Sequence, residues 1–186
     1  MQKGYQLGLM AASAIDLALG GEEMSRTEIS IGPEDPRQAD IRRMIAESDA
    51  YLQALYPAES NHLVDVDALA APDTVFLAAR RNTELLGSIA FRIIAPAHAE
   101  MKRLFVRHEA RGTGLGRRLI QALEDAARLR HIDRISLETG IKQAEAIGLY
   151  RASGYQECPP FGSYRSDPLS LFMTKWLQPA SQKQRR

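Results

Sequence analysis

Residues 101–129 read in one order only: strand, glycine-rich turn, helix. Met101-Lys102-Arg103-Leu104-Phe105-Val106 is strand-like, and Leu115, Leu119, Ala122, Leu123 and Ala126 recur at helical spacing. Arg117, Arg118, Gln121, Glu124, Asp125 and Arg128 fall on the opposite face of that helix. Between the two stands Arg111-Gly112-Thr113-Gly114-Leu115-Gly116. Glycines let a backbone come close to an anion, and the N–H groups of a first helical turn meet it with the positive end of the helix dipole. Arg107, Arg111, Arg117 and Arg118 add positive charge around the same spot, so the segment reads as a place to hold a phosphate.

Spacing separates three patterns that use such a turn. A Walker loop needs Gly-Lys followed by Ser or Thr, whereas Gly116 is followed by Arg117-Arg118. A dinucleotide fingerprint would place a third glycine where Arg117 stands. Glu138, at the end of the next expected strand, stands about where that fold keeps its ribose-binding acid, but too little chain follows for the remaining strands. The third pattern, Arg/Gln-x-x-Gly-x-Gly/Ala, is met by Arg111, Gly114 and Gly116. A glycine-rich helix entry without a ligand stays as the plainer alternative.

Downstream, Gln143-Ala144-Glu145-Ala146-Ile147-Gly148-Leu149-Tyr150-Arg151-Ala152-Ser153-Gly154-Tyr155 reads as a short helix stopped by Gly154 at the C′ position. Together with Arg111 to Gly116 it resembles the GNAT superfamily of N-acetyltransferases. The later motif of that family runs Asn-x-x-Ala-x-x-Leu-Tyr, three residues, then Gly-Phe/Tyr. The resemblance covers about Glu28 to Leu177, and Gln143 departs from the usual Asn. Pro160-Phe161-Gly162-Ser163-Tyr164 and Asp167-Pro168-Leu169-Ser170 look like a bacterial subgroup of unassigned GNAT enzymes.

The order of elements agrees with an α/β sandwich of α+β type. Glu28 to Ile31 is a first strand, and Pro36 opens a helix to about Tyr56 with Ile41, Met44, Ile45, Leu52 and Leu55 as its apolar face. Val75 to Ala79 and Leu85 to Ile94 form a hairpin through Arg81-Asn82-Thr83-Glu84. Ala99 to Val106 precedes the glycine turn and Leu115 to Leu129 follows it. Arg134 to Glu138, Tyr155 to Cys158 and Leu169 to Lys175 complete the sheet. The resemblance implies the acyl-CoA N-acyltransferase fold, with a central mixed, mostly antiparallel sheet flanked by helices.

A chain of 186 residues suits one domain, expected here over residues 24–177. Residues 1–23 read as an extension or a mis-set start before Met24-Ser25, and residues 178–186 as a polar tail. Leu7 to Leu19 is interrupted by Asp16 and too short to span a bilayer, and its look of a signal peptide is faint. A formal net charge of +1 argues against a nucleic-acid partner, and no membrane partner is expected. Cys158 is the only cysteine, which excludes an internal disulfide and suits a cytoplasmic home. His62, His98, His108 and His131 show no metal-ligand spacing.

The resemblance also implies a chemistry. Acetyl-CoA is the expected cosubstrate, with no metal. Its pyrophosphate belongs on the amides of Gly112, Thr113, Gly114, Leu115 and Gly116, with Arg111 and Arg117 beside it and Gln143 as a further contact. Its pantetheine arm belongs along Leu104, Phe105 and Val106, on a strand that splays from its neighbour, and a backbone N–H there can polarise the thioester carbonyl. Tyr150 matches the family tyrosine that protonates the leaving thiolate. A primary amine of pKa about 10 must lose a proton, and Glu100 is the candidate base, eleven positions before Arg111. An ion pair of Glu100 with Lys102 or Arg103 is the competing account. The segment Tyr56-Pro57-Ala58-Glu59-Ser60-Asn61-His62, with Phe161 and Tyr164 opposite, is the expected acceptor wall. The acceptor is an amine of a small molecule or peptide, and a homodimer is left open. Two function classes remain: an N-acetyltransferase, and a sensor that holds acyl-CoA without turnover.

Overall fold

The computed structural model of the chain describes residues 28–60 and 64–178. The expected extension at 1–23, most of the polar tail, and Asn61 and His62 of the expected acceptor wall lie outside the described residues. The strands are β1 (Ile29–Pro33), β2 (Thr74–Arg81), β3 (Glu84–Ala95), β4 (His98–Val106), β5 (Arg134–Gly140), β6 (Gln156–Glu157) and β7 (Ser170–Trp176). The helices are α1 (Ala39–Leu55), α2 (Val66–Leu69), α3 (Leu115–Leu129) and α4 (Ala144–Ala152). All seven strands form one sheet in the order β1-β2-β3-β4-β5-β7-β6, antiparallel at every pairing except β4 with β5.

Alternation along the strands divides two cores. Leu77, Ala79, Ile89, Phe91, Met101, Ile135, Leu137 and Met173 face α3 and α4. Phe76, Ala78 and Ala90 face Ile41, Met44 and Ile45 of α1 and Leu69 of α2. Leu119 and Leu123 of α3 are wholly buried, and each contributes about 1.5–3 kcal/mol by leaving water. Helix α4 ends as expected: Gly154 takes φ +88°, and the Tyr155 N–H donates to the Tyr150 carbonyl at 3.0 Å.

Several details differ from the sequence reading. Helix α1 starts at Ala39, because Pro36 and Arg37 form a turn closed by Gln38 N–H donating to the Asp35 carbonyl. Strand β6 keeps only two residues, Gln156 and Glu157, in register with β7, and one further backbone bond, from the Cys158 N–H to the Phe172 carbonyl at 2.9 Å, prolongs the contact. Glu124, placed by periodicity on the polar face of α3, is buried. Both its oxygens accept from Lys175 Nζ, at 2.7 and 2.8 Å. No helix among the described residues is long and apolar enough to cross a membrane.

Candidate active site

The turn before α3 is shaped by backbone geometry. Gly114, the N-cap of α3, has φ +83°, a left-handed conformation that a side chain strains. Gly116 is needed for another reason: a Cβ there would lie 2.8 Å from Leu149 Cδ2 of α4. Among the described residues, none of the backbone N–H groups from Gly112 to Arg117 donates to another group. This is the unspent donor set that an anion requires. Arg111 Nε donates to the Val106 carbonyl at 3.1 Å, and its guanidinium lies over the Tyr51 ring. Arg117 is exposed and makes no ion pair among the described residues.

Strand β4 supplies the second element. It pairs with β5 only from His98 to Met101, opposite Arg134 to Leu137, and then the two part. The divergence has a local cause. The β3–β4 register shifts between Ser88 and Ala90, and opposite that shift Arg103 takes φ +56°. The Arg103 guanidinium is held by the Asp49 carboxylate of α1 and the Val64 carbonyl. The β4 edge beyond Met101 therefore has no strand beside it. Leu104, Phe105 and Val106 line a cavity of about 750 Å³ with Gly112, Gly114, Arg117, Gln143 and Tyr150.

Tyr150 is buried on α4 with its ring edge-on to Tyr155, centroids 6.2 Å apart. Burial, with the negative charge of Glu138 second, holds its phenol above the ordinary tyrosine range. No hydrogen bond engages its hydroxyl among the described residues. Gln143 is the N-cap residue of α4 without a side-chain cap bond, and its amide reaches Thr139 Oγ1 at 3.5 Å.

Glu100 lies elsewhere. Its side chain is buried on the opposite sheet face, away from that cavity. Lys102 Nζ stands 2.8 Å from Oε1, the Tyr164 hydroxyl donates to Oε1 at 2.6 Å, and Arg92 Nη2 is 3.5 Å from Oε2. Lys102 also donates to the Tyr164 hydroxyl. Both carboxylate oxygens are thus engaged. Of the two partners considered from sequence, Lys102 forms the ion pair and Arg103 does not.

Glu138, weighed from sequence only as a ribose-binding acid, is the carboxylate that borders Tyr150. It follows Leu137, the last β5 residue paired with β4, and so marks the point of divergence. Ser170 Oγ donates to its Oε1 at 2.7 Å. Its charge acts on the phenols of Tyr56, Tyr150 and Tyr164 alike. It lines a narrow passage of about 100 Å³ together with Tyr56, Lys102, Leu104, Gln143 and Tyr150. Leu104, Gln143 and Tyr150 belong also to the first cavity. Lys102 and Val64 belong also to a third, of about 970 Å³, which Phe161 and Tyr164 enclose from the loop after β6. The first two adjoin where β4 and β5 part, and the third borders the passage through Val64 and Lys102. This arrangement can hold an anionic chain on one side and a second reactant on the other, with Tyr150 and Glu138 where they meet.

Comparison with known proteins gives a consistent result. The model of the acetyltransferase (GNAT) family matches residues 41–155. A protein of Azospirillum brasilense named IAA acetyltransferase is 47% identical over 150 residues, spanning 80% of this chain and 98% of the relative. A crystal structure from Klebsiella pneumoniae, assigned by name to the acyl-CoA N-acyltransferases, superposes with a TM-score of 0.71 at 35% identity. It covers 81% of this chain and 98% of its own. A PaiA N-acetyltransferase from Thermoplasma acidophilum, solved in complex with coenzyme A, shares the fold at 18% identity and a TM-score of 0.61. That match covers 81% of this chain and 99% of the other.

Proposed function

The chain belongs to the acetyltransferase (GNAT) family and is an acyltransferase, and from that premise we propose that it moves an acetyl group from acetyl-CoA to a primary amine by direct transfer in a ternary complex. The observation that carries this reading is the pair of adjoining cavities at the β4–β5 divergence, where Tyr150 and Glu138 line one narrow passage. Coenzyme A bound to the Thermoplasma acetyltransferase, which has this fold, is in keeping with it.

The residues present fit the coenzyme. The unspent amides of Gly112 to Gly116 suit its pyrophosphate, with Arg111 and Arg117 adding charge. The open β4 edge at Leu104, Phe105 and Val106 suits an extended, amide-bearing arm, and Gln143 borders the same cavity. When bound, acetyl-CoA supplies a thioester whose C–S bond breaks as the new C–N bond forms.

The chain's own groups do the rest. A backbone N–H at the β4 bulge, near Leu104, donates toward the carbonyl oxygen as negative charge gathers there. Tyr150 gives its proton to the departing sulfur, and its raised pKa keeps that proton available across the physiological range. For the base we favour Glu138 over Glu100. Glu138 has one oxygen held by Ser170 and lines the junction. Glu100 has both oxygens committed to Lys102, Tyr164 and Arg92. A sensor that never turned over would need neither an acid nor a base at the junction.

Release of free thiol from acetyl-CoA, measured across amines, amino acids and peptides, tests the proposal. Amine-dependent release that disappears in Gly114→Glu is the expected result. Tight acetyl-CoA binding with no release for any amine would refute it in favour of a sensor.

A further inference from the structure

The third cavity, with the passage beside it, carries a charge pattern of its own. Its floor is the sheet face bearing Arg92, Glu100 and Lys102. One buried carboxylate there sits between two cations, at 2.8 Å from Lys102 and 3.5 Å from Arg92, which leaves one positive charge uncancelled. Lys102 directs two of its three donors at Glu100 and Tyr164. Arg92 reaches Glu100 through one amino group, and its side chain keeps 44% of its surface exposed. Neither has another acid within ion-pair distance among the described residues.

The remaining charges of this cavity are at its rim. Asp73 and Arg165 are exposed, where water screens them. Asp73 Oδ1 accepts from the Thr74 hydroxyl, and Asp167 Oδ1 accepts from the Leu169 N–H at 2.8 Å.

Across the passage stands Glu138. Lys102 and Glu138 each follow the last paired residues of their strands, Met101 and Leu137. Their side chains therefore start from one sheet face, on strands that have begun to part. They form no ion pair with each other, and both line the passage. A cation and an anion face one another across a gap that leads to Tyr150.

We infer that the acceptor is a free amino acid, its ammonium toward Glu138 and its carboxylate on Lys102 and the guanidinium of Arg92. The inference rests on the acetyl-transfer reading and narrows its substrate to one class. A zwitterion whose ammonium and carboxylate groups share one Cα bridges such a gap, and the Arg92 fork suits a carboxylate. Phe161, Tyr164 and Ile94 border the same cavity, so the side chain it accommodates is apolar or aromatic.

The test compares the twenty amino acids with their α-carboxamides, using the full chain, acetyl-CoA and thiol release. An apolar or aromatic amino acid should be used with kcat/KM at least tenfold above that of its amide, because the amide leaves the cationic floor unpaired. Arg92→Ala should raise KM for that amino acid tenfold or more while leaving KM for acetyl-CoA unchanged and the protein folded by circular dichroism. Equal use of acid and amide, or an unchanged KM in Arg92→Ala, overturns the inference. Turnover of amides and peptides with none of the free amino acids overturns it too, and leaves acetyl transfer to amines standing. No thiol release with any amine overturns both readings.

Discussion

Replacing Tyr150 by Phe isolates one oxygen atom at the junction. The ring is buried and packs edge-on against Tyr155, and Phe keeps that packing. The hydroxyl has no hydrogen-bond partner among the described residues, so its removal orphans no acceptor. The stability change should stay within about 0.5 kcal/mol, a melting shift of no more than about 2 °C for a domain of this size. Catalysis should respond very differently. Loss of a positioned general acid costs roughly 10²–10⁴-fold, equivalent to about 2.7–5.5 kcal/mol of barrier. The proton is needed only as the thiolate leaves, so the fall belongs in kcat with both KM values nearly constant. The pH profile adds a second reading. Burial and the Glu138 charge raise the phenol above its ordinary value of 10.0, so the alkaline limb of wild-type kcat must lie above pH 10. Initial rates of thiol release at saturating substrates, from pH 6 to 10.5, contain all of this. A Phe variant within threefold of wild type, or an alkaline limb near pH 8, would refute the assignment.

Glu138→Gln should lower kcat by roughly 10²–10³-fold, whereas Glu100→Gln should lower it far less; the reverse order returns the base to Glu100. Gly114→Glu should abolish acetyl-CoA binding in calorimetry, and because φ is +83° there it should also cost about 1–2 kcal/mol of stability. Lys175→Met leaves the buried Glu124 carboxylate with Arg128, at the greater distance of 3.6 Å, as its remaining cation, and should cost about 3–5 kcal/mol by urea titration. Alkaline stability follows from Tyr150, Tyr155 and Tyr164, all raised chiefly by burial. The fold favours their neutral forms, so this contribution is full below the ordinary value near 10 and is lost as pH climbs through the higher folded values. Urea midpoints should hold to about pH 9.5 and then drop, less steeply in Tyr150→Phe.

Local signals carried most of the fold. Period 3.6 delimited α3 at Leu115 and Leu129, and Gly154 stopped α4, because each depends on residues within one or two turns. Helix α2 was missed. Four residues are too few to show a period, and its one cue is Asp65, whose side chain accepts from the Ala68 N–H at 2.7 Å. Glu124 was misplaced because periodicity assigns a face but cannot see that Lys175, fifty-one positions later, arrives to neutralise it. The glycine turn and Tyr150 were legible as contiguous motifs. Glu138 was visible only as an acid at the end of a strand. Its place beside Tyr150 arises from where β4 and β5 stop pairing, which a bulge on a different strand pair decides. Arg92 and Tyr164 converge on Glu100 from β3 and a late loop, a non-local meeting that spacing does not encode.

Gly116 ties the two ends of the proposed site together sterically. Leu149 precedes Tyr150, and its methyl group occupies the space that any side chain at position 116 would claim. A larger residue there would have to push Leu149 aside, and with it the turn of α4 that carries the phenol. A change made where the diphosphate is proposed to lie would then show as lost turnover as well as lost affinity.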